Sequence, residues 1–187
     1  MKKFILVLRF LVAPVSSWEI ETKGEHSPAV HEKGWFYPLL AIAGATSFVQ
    51  MLYGSTLTEA LIRGIAMFTA FFLGYMLAPM LASLLVKHIG TQRAKAVTES
   101  DLKVLTMFVY SIGLIVAIVQ NLLPAPMTPL YIFLVYMLFV LSKCAPLFGA
   151  DSDNGKMLFV FGMFSVFLAV PVVVLCVIFK FIPQESI

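Results

Sequence analysis

Charged side chains are scarce in this sequence. Only 12% of its 187 residues are Asp, Glu, Lys or Arg, whereas a soluble domain has about 25%. Apolar residues make up 60% of the chain, and the mean hydropathy is +0.96. A chain with so few polar residues cannot cover its own surface in water. The composition therefore excludes an ordinary soluble domain and indicates a protein that is solvated by a bilayer.

Cysteine is rare as well, and the common catalytic motifs are missing. Cys144 and Cys176 both lie in apolar runs, so no disulfide framework is indicated. The sequence has no His-Glu-x-x-His helix and no Gly-rich phosphate loop. It also has no basic stripe with interleaved aromatic residues, which argues against nucleic acid as a partner. We predict a protein that is not an enzyme and that has no catalytic, cofactor or metal site.

Long apolar runs dominate what is present. A helix that spans a bilayer needs about 20 mostly apolar residues, and five stretches meet or approach that length: about 36–53, 61–86, 104–123, 130–148 and 157–182. Gly54 and Pro124 fall between them, where a helix is expected to end. Thr98 and Asp101 have the spacing of a capping box. The predicted fold is all-α, a polytopic bundle of about five transmembrane helices within residues 36–187.

The first thirteen residues carry a different pattern. Lys2 and Arg9 are seven residues apart and share one helical face, while Phe4 and Leu8 lie on the other side. This predicts an amphipathic helix that lies in the membrane interface and contacts lipid headgroups with its cations. A cleaved signal peptide or a sixth span is the alternative.

Residues 19–35 are polar and mixed in charge. Together with the interfacial helix they are predicted to form a cytoplasmic segment over residues 1–35. His26 and His31 allow a metal site here as an alternative, but Pro28 separates them and their spacing fits no known ligand pattern. We therefore interpret residues 19–35 as a solvated linker.

The basic residues are distributed unevenly along the chain. If the N-terminus is cytoplasmic, only Arg63 and Lys180 of the 13 Lys and Arg residues fall outside, and both lie at span ends where they can reach the interface. Because cytoplasmic loops carry an excess of Lys and Arg, we predict a cytoplasmic N-terminus, an external C-terminus and an odd number of spans.

Small residues recur every four positions in the second predicted span. They are Ala66, Ala70, Gly74, Ala78 and Ala82. Such a groove lets another helix approach closely in lipid, where association depends on packing. It predicts either packing against another span of the same chain, the first span being a natural partner, or an interface in a homo-oligomer or with a membrane-protein partner.

The pattern resembles the bacterial members of the Yip family, the membrane proteins named for their interaction with Ypt/Rab GTPases. Seven positions match features of that family: Pro14, Trp18, Gly90, Tyr110, Ser111, Pro124 and Tyr136. The resemblance implies a five-span bundle in the bacterial inner membrane with a cytoplasmic N-terminus. The eukaryotic Asp-Leu-Tyr-Gly-Pro motif is absent, so the resemblance does not carry GTPase binding with it.

Two functions fit these observations. The first is a non-enzymatic membrane protein that organises membrane lipid or partner proteins. The second is a small oligomeric transporter or channel, which predicts a water-accessible cavity lined by Tyr110, Ser111 and Gln120. No ionisable residue lies deep in any predicted span, and this argues against ion-coupled transport.

Overall fold

The computed structural model describes residues 28–89, 97–125 and 132–181, and all regular secondary structure in those ranges is helical. The helices are α1 (Pro28–Tyr53), α2 (Leu57–Ile89), α3 (Glu99–Leu122), α4 (Ile132–Cys144) and α5 (Asp153–Phe181). The predicted all-helical fold class is confirmed. The amphipathic helix predicted within residues 1–13 lies outside the described residues.

Four of these helices are long and apolar enough to cross a membrane, namely α1, α2, α3 and α5. α4 is apolar but shorter, and a 3₁₀ turn over Ala145–Phe148 extends it. The chain thus has the architecture of a multi-pass membrane protein. The predicted span over 130–148 corresponds to the shortest helix of the described bundle.

The first three helices run alternately up and down. Gly44 of α1 lies against Gly64 of α2, and the Ser47 hydroxyl donates to the Ala60 carbonyl at 3.0 Å. α1 and α2 are therefore antiparallel. α2 and α3 pair in the same antiparallel way, since Gly74 faces Tyr110 and Phe71 faces Gly113. α1 and α3 consequently end on one side of the bundle, which we call the Tyr53 end.

The opposite side, which we call the Ile89 end, is where α2 ends and where α3 and α5 begin. Gly162 of α5 faces Leu85 of α2, and Gly155 faces Ile89. α5 therefore starts at the Ile89 end although α3 finishes at the Tyr53 end. The chain between them has to cross the bundle again, and α4 makes that crossing despite its short length.

Two local signals act as the sequence predicts. Gly54 ends α1 in the left-handed conformation at φ 99°, which glycine adopts without the clash that a Cβ would cause. At the start of α3 the Thr98 hydroxyl accepts the Asp101 N–H, while the Asp101 carboxylate accepts the Thr98 N–H at 2.9 Å. The predicted capping box is confirmed.

α1 begins earlier than predicted. It starts at Pro28, includes a π-helical turn over Glu32–Phe36 and ends in a 3₁₀ turn over Ser47–Tyr53. His31 and Trp35 are only 5% and 3% exposed. Residues 28–35 are therefore helical, with His31 and Trp35 buried, where a solvated linker is predicted from the sequence. The cytoplasmic location of residues 1–35 stays a prediction. Polar residues lower the local hydropathy of this segment, whereas Trp35 packs into the core and Val30 remains 41% exposed.

Candidate functional site

A cavity of about 260 Å³ lies between α2, α3, α4 and α5 in the described part of the chain. It lies in the half of the bundle nearer the Tyr53 end. Most of its wall is aliphatic or aromatic, and three of the lining side chains are polar: Tyr110, Gln120 and Asn121. The cavity can therefore hold an apolar molecule.

Tyr110 lines the cavity, but its hydroxyl faces Gly74 of α2, which is not one of the lining residues. Its side chain is 1% exposed, and its hydroxyl has no hydrogen-bond partner among the described residues. The ring is held edge-on between Phe71, at a centroid distance of 5.5 Å, and Phe167, at 5.9 Å. The position of the hydroxyl depends on Gly74, because a Cβ at Gly74 would lie 2.8 Å from it.

A backbone acceptor lies beside the same wall. Pro171 sits inside α5 and has no N–H to donate to the carbonyl of Phe167, four residues earlier. Both residues are among those that line the cavity. The helical hydrogen-bond ladder of α5 is therefore interrupted at the level of the cavity.

The other end of the cavity lies at the C-terminal turn of α3. Gln120 presents a buried side-chain oxygen that has no hydrogen-bond partner in the described structure. Its neighbour Asn121 uses its amide nitrogen to donate to the Thr46 hydroxyl at 3.1 Å and to the Ala43 carbonyl at 3.3 Å. Asn121 therefore ties the cavity rim to α1, whereas the Gln120 oxygen is enclosed by neighbouring atoms.

Side chains of α1 hold this rim in place. The Gln50 amide donates to the carbonyls of Asn121 at 2.7 Å and Leu123 at 3.1 Å, and the Tyr53 hydroxyl donates to the Leu122 carbonyl at 2.9 Å. The last carbonyls of a helix have no partner within the helix. α1 supplies those partners and thereby fixes where α3 ends.

The predicted small-residue groove is covered by helices of this chain. All five of its members, Ala66, Ala70, Gly74, Ala78 and Ala82, are buried. Gly74 faces Tyr110 of α3, and α2 packs along α5 as well. α1 meets α2 at a different place, where Gly44 approaches the Gly64 carbonyl. The first span is thus not the partner at Gly74.

The positions that resemble the Yip family are scattered. Pro14, Trp18 and Gly90 lie outside the described residues. Ser111 is buried, but its hydroxyl donates to the Phe108 carbonyl at 2.6 Å and it does not line the cavity. Pro124 follows the end of α3 and is exposed, and the Tyr136 ring lies 5.4 Å from the Phe139 ring in a tilted arrangement within α4. Of this set, only Tyr110 lines the cavity.

A second polar cluster lies where α1 meets the middle of α2. The Tyr75 hydroxyl donates to the Glu32 carboxylate, and the Trp35 indole donates to His31 at 3.3 Å. Tyr75 is twelve residues from both Arg63 and Lys87, which is about 18 Å of helix in each direction. An ionisable carboxylate therefore reaches the middle of the bundle, contrary to the expectation that none lies deep in a span.

Glu32 was missed because it precedes the apolar run that begins at Phe36. The available signals were Pro28, a common first residue of a helix, and the four-residue spacing of His31 and Trp35, which puts both on one face. The metal site considered for this region is not formed by the described residues, which contain no group of three His, Cys, Asp or Glu side chains placed to hold an ion. His26 lies outside them.

No family model, no curated protein and no solved structure matches this chain. Its function is therefore inferred from the geometry of the bundle itself.

Proposed function

We propose that this chain is a non-enzymatic multi-pass membrane protein that binds and organises membrane lipid. The observation that carries the proposal is the cavity between α2, α3, α4 and α5. Its wall reaches the outer surface of the bundle at Leu168 and Val172, which are 37% and 47% exposed. A cavity that opens through apolar residues of a membrane helix is accessible to lipid chains rather than to solutes from water.

The chemistry of the wall supports binding over conduction. An ion pathway usually has ionisable groups or broken helices near the midplane, whereas the cavity is lined almost entirely by aliphatic and aromatic residues. The second candidate is a small oligomeric transporter or channel. It is favoured by the Glu32 and Tyr75 pair at mid-depth and by the Tyr110 and Gln120 lining, although Ser111 is not part of that lining.

The proposal predicts that lipid stays with the protein when it is extracted in mild detergent. Ala117 lines the cavity, so Ala117→Leu should fill part of it and lower the amount of retained lipid several-fold. Ala45 lies on the exposed face of α1, and Ala45→Leu adds the same volume without touching the cavity. Native mass spectrometry of the full chain and its two variants measures the retained lipid.

A wild-type protein that retains no lipid would contradict the proposal. Equal retention by wild type and Ala117→Leu would also count against it, because lipid would then be held outside the cavity. Reduced retention by Ala45→Leu would point to the lipid-facing side of α1 instead.

We extend the proposal to a Yip-like protein of the bacterial inner membrane with a cytoplasmic N-terminus. The family and membrane rest on the sequence resemblance alone. The orientation is supported by the cations: Lys87, Lys103, Lys143 and Lys156 lie towards the Ile89 end, while Arg63 and Lys180 lie towards the Tyr53 end. By the excess of Lys and Arg in cytoplasmic loops, the Ile89 end is cytoplasmic. The cavity then opens in the outer half of the membrane, and further partners are a second copy or another membrane protein.

A further inference from the structure

We infer that the lipid bound by the cavity has a net negative headgroup, which Arg63 binds at the Tyr53 end while one acyl chain of the lipid fills the cavity. This inference rests on the proposed lipid-binding function and names the class of lipid. It is carried by the position of Arg63 on α2, by its exposure, and by the length of the apolar space that begins beside it.

Arg63 lies on the side of α2 that faces the cavity. It precedes Met67 by four residues and Phe71 by eight, so the three side chains form one row along the helix. Met67 and Phe71 line the cavity, and Gly74, further along nearly the same line, is buried against α3. Arg63 is exposed. The neighbouring helices therefore leave this side of α2 open at the Tyr53 end.

The pairing of α2 with α3 places Arg63 level with one end of the cavity. Phe71 faces Gly113 in an antiparallel arrangement. Arg63 is eight residues before Phe71, and Asn121 is eight residues after Gly113, so the two lie at the same height along the bundle. Asn121 is the last residue of α3 that lines the cavity. The guanidinium group is therefore within reach of a headgroup at that end.

The charge of Arg63 is not neutralised by another described residue. Glu59, one turn earlier, accepts the Thr56 N–H at 2.9 Å, and the described residues form no ion pair with Arg63. Helical side chains lean towards the N-terminus of their helix, and α2 begins at the Tyr53 end. The guanidinium thus extends towards the membrane interface, where it can bind a phosphate group with two parallel hydrogen bonds.

The length of the cavity fits one acyl chain of a single leaflet. Its wall on α3 runs from Tyr110 to Asn121, which is about 16 Å of helix. Half of a typical hydrocarbon core is about 15 Å. A lipid in the leaflet at the Tyr53 end can therefore extend one chain along the cavity while its headgroup lies beside Arg63.

The distribution of charge sets the class of headgroup. No Asp, Glu, Lys, Arg or His is among the described residues that line the cavity, so the charged group stays at the interface, where it is not desolvated. A zwitterionic headgroup carries its own ammonium group, which competes with Arg63 for the phosphate. A net negative headgroup has no such competitor and gains most from Arg63.

Competition between two lipids tests the inference. The full chain is reconstituted in vesicles of equal parts phosphatidylglycerol and phosphatidylethanolamine with identical acyl chains, and is then extracted in mild detergent. Native mass spectrometry measures the ratio of the two lipids that it retains. The wild type should favour phosphatidylglycerol about five-fold, which corresponds to the upper end of the range for an exposed ion pair.

Arg63→Gln keeps an exposed polar side chain and removes the charge, so it should bring the ratio close to that of the vesicles. Lys180→Gln is the matched control, because it removes a cation from the same end of the bundle. Lys180 is exposed and lies nine residues after Pro171, half a turn away from that cavity residue around α5. It should leave the ratio unchanged.

A wild type that retains the two lipids in the proportion of the vesicles would overturn the inference. A preference that survives in Arg63→Gln would also overturn it, as would one that falls equally in Lys180→Gln. Each of these results leaves the total lipid retention tested with Ala117→Leu untouched, so the headgroup preference can fail while lipid binding stands. A wild type that retains neither lipid would contradict the proposed function itself.

Discussion

A Cβ added to Gly74 would lie 2.8 Å from the Tyr110 hydroxyl and 2.9 Å from its Cε2, closer than carbon atoms approach in real structures. Gly74→Ala should therefore push the ring into its neighbours Phe71 and Phe167. Overpacking of this kind typically costs about 1–3 kcal/mol. Thermal unfolding in detergent measures the loss.

A double variant separates the clash from the loss of helical glycine. Tyr110→Phe alone removes a hydroxyl that has no partner, so the stability of the empty protein should not fall. In the Gly74→Ala background it should relieve part of the clash, and the two effects should not add. Strict additivity would show that the Gly74 contact with the hydroxyl is unimportant.

At the scale of helices, the C-terminal end of α3 depends on α1. Gln50 donates to backbone carbonyls of that end, while the Gln120 side chain makes no hydrogen bond in the described structure. Replacement of Gln by Leu should therefore affect the stability of the protein differently at the two positions. Gln50→Leu should destabilise the protein by about 1–3 kcal/mol, because carbonyls lose their donor, and Gln120→Leu should cost little. The unfolding midpoints of the two variants in detergent give the comparison. Equal midpoints would show that the hydrogen bonds of Gln50 do not stabilise the end of α3.

The apolar runs predicted the interiors of α2, α3 and α5 because lipid-facing helices need continuous hydrophobic surface. They missed the start of α1, where Trp35 packs against Phe108 of α3 and the Tyr75 hydroxyl donates to Glu32. Hydropathy averages over a window and cannot register such contacts.

The candidate site was only partly predictable for a related reason. Tyr110 and Gln120 stood out as polar residues of one predicted span. Their cavity, however, is completed by residues such as Met67 and Phe167, far away in sequence. Which apolar residues leave a gap between four helices depends on side-chain packing that no single segment specifies.

At the scale of the whole molecule, the alternating direction of the helices and the distribution of lysines both distinguish the two ends of the bundle. Pairing between helices puts the start of α3 and the start of α5 at the Ile89 end, and α2 begins at the Tyr53 end. The described bundle thus presents two chemically different ends, since lysines concentrate near one of them. Because cytoplasmic loops carry an excess of Lys and Arg, this asymmetry favours one orientation of the chain in the membrane.

One accessibility experiment tests that orientation. Thr58 at the Tyr53 end and Ser100 at the Ile89 end are both exposed, so each accepts a reporter cysteine after Cys144→Ala and Cys176→Ala remove the native thiols. In intact cells an impermeant maleimide should label Thr58→Cys and not Ser100→Cys, and both should react after permeabilisation. The reverse pattern would put the lysine-rich end outside. Labelling of both sites in intact cells would mean that the two ends do not lie on opposite sides of a membrane, and the alternating arrangement of α1 to α3 across the bilayer would then be wrong.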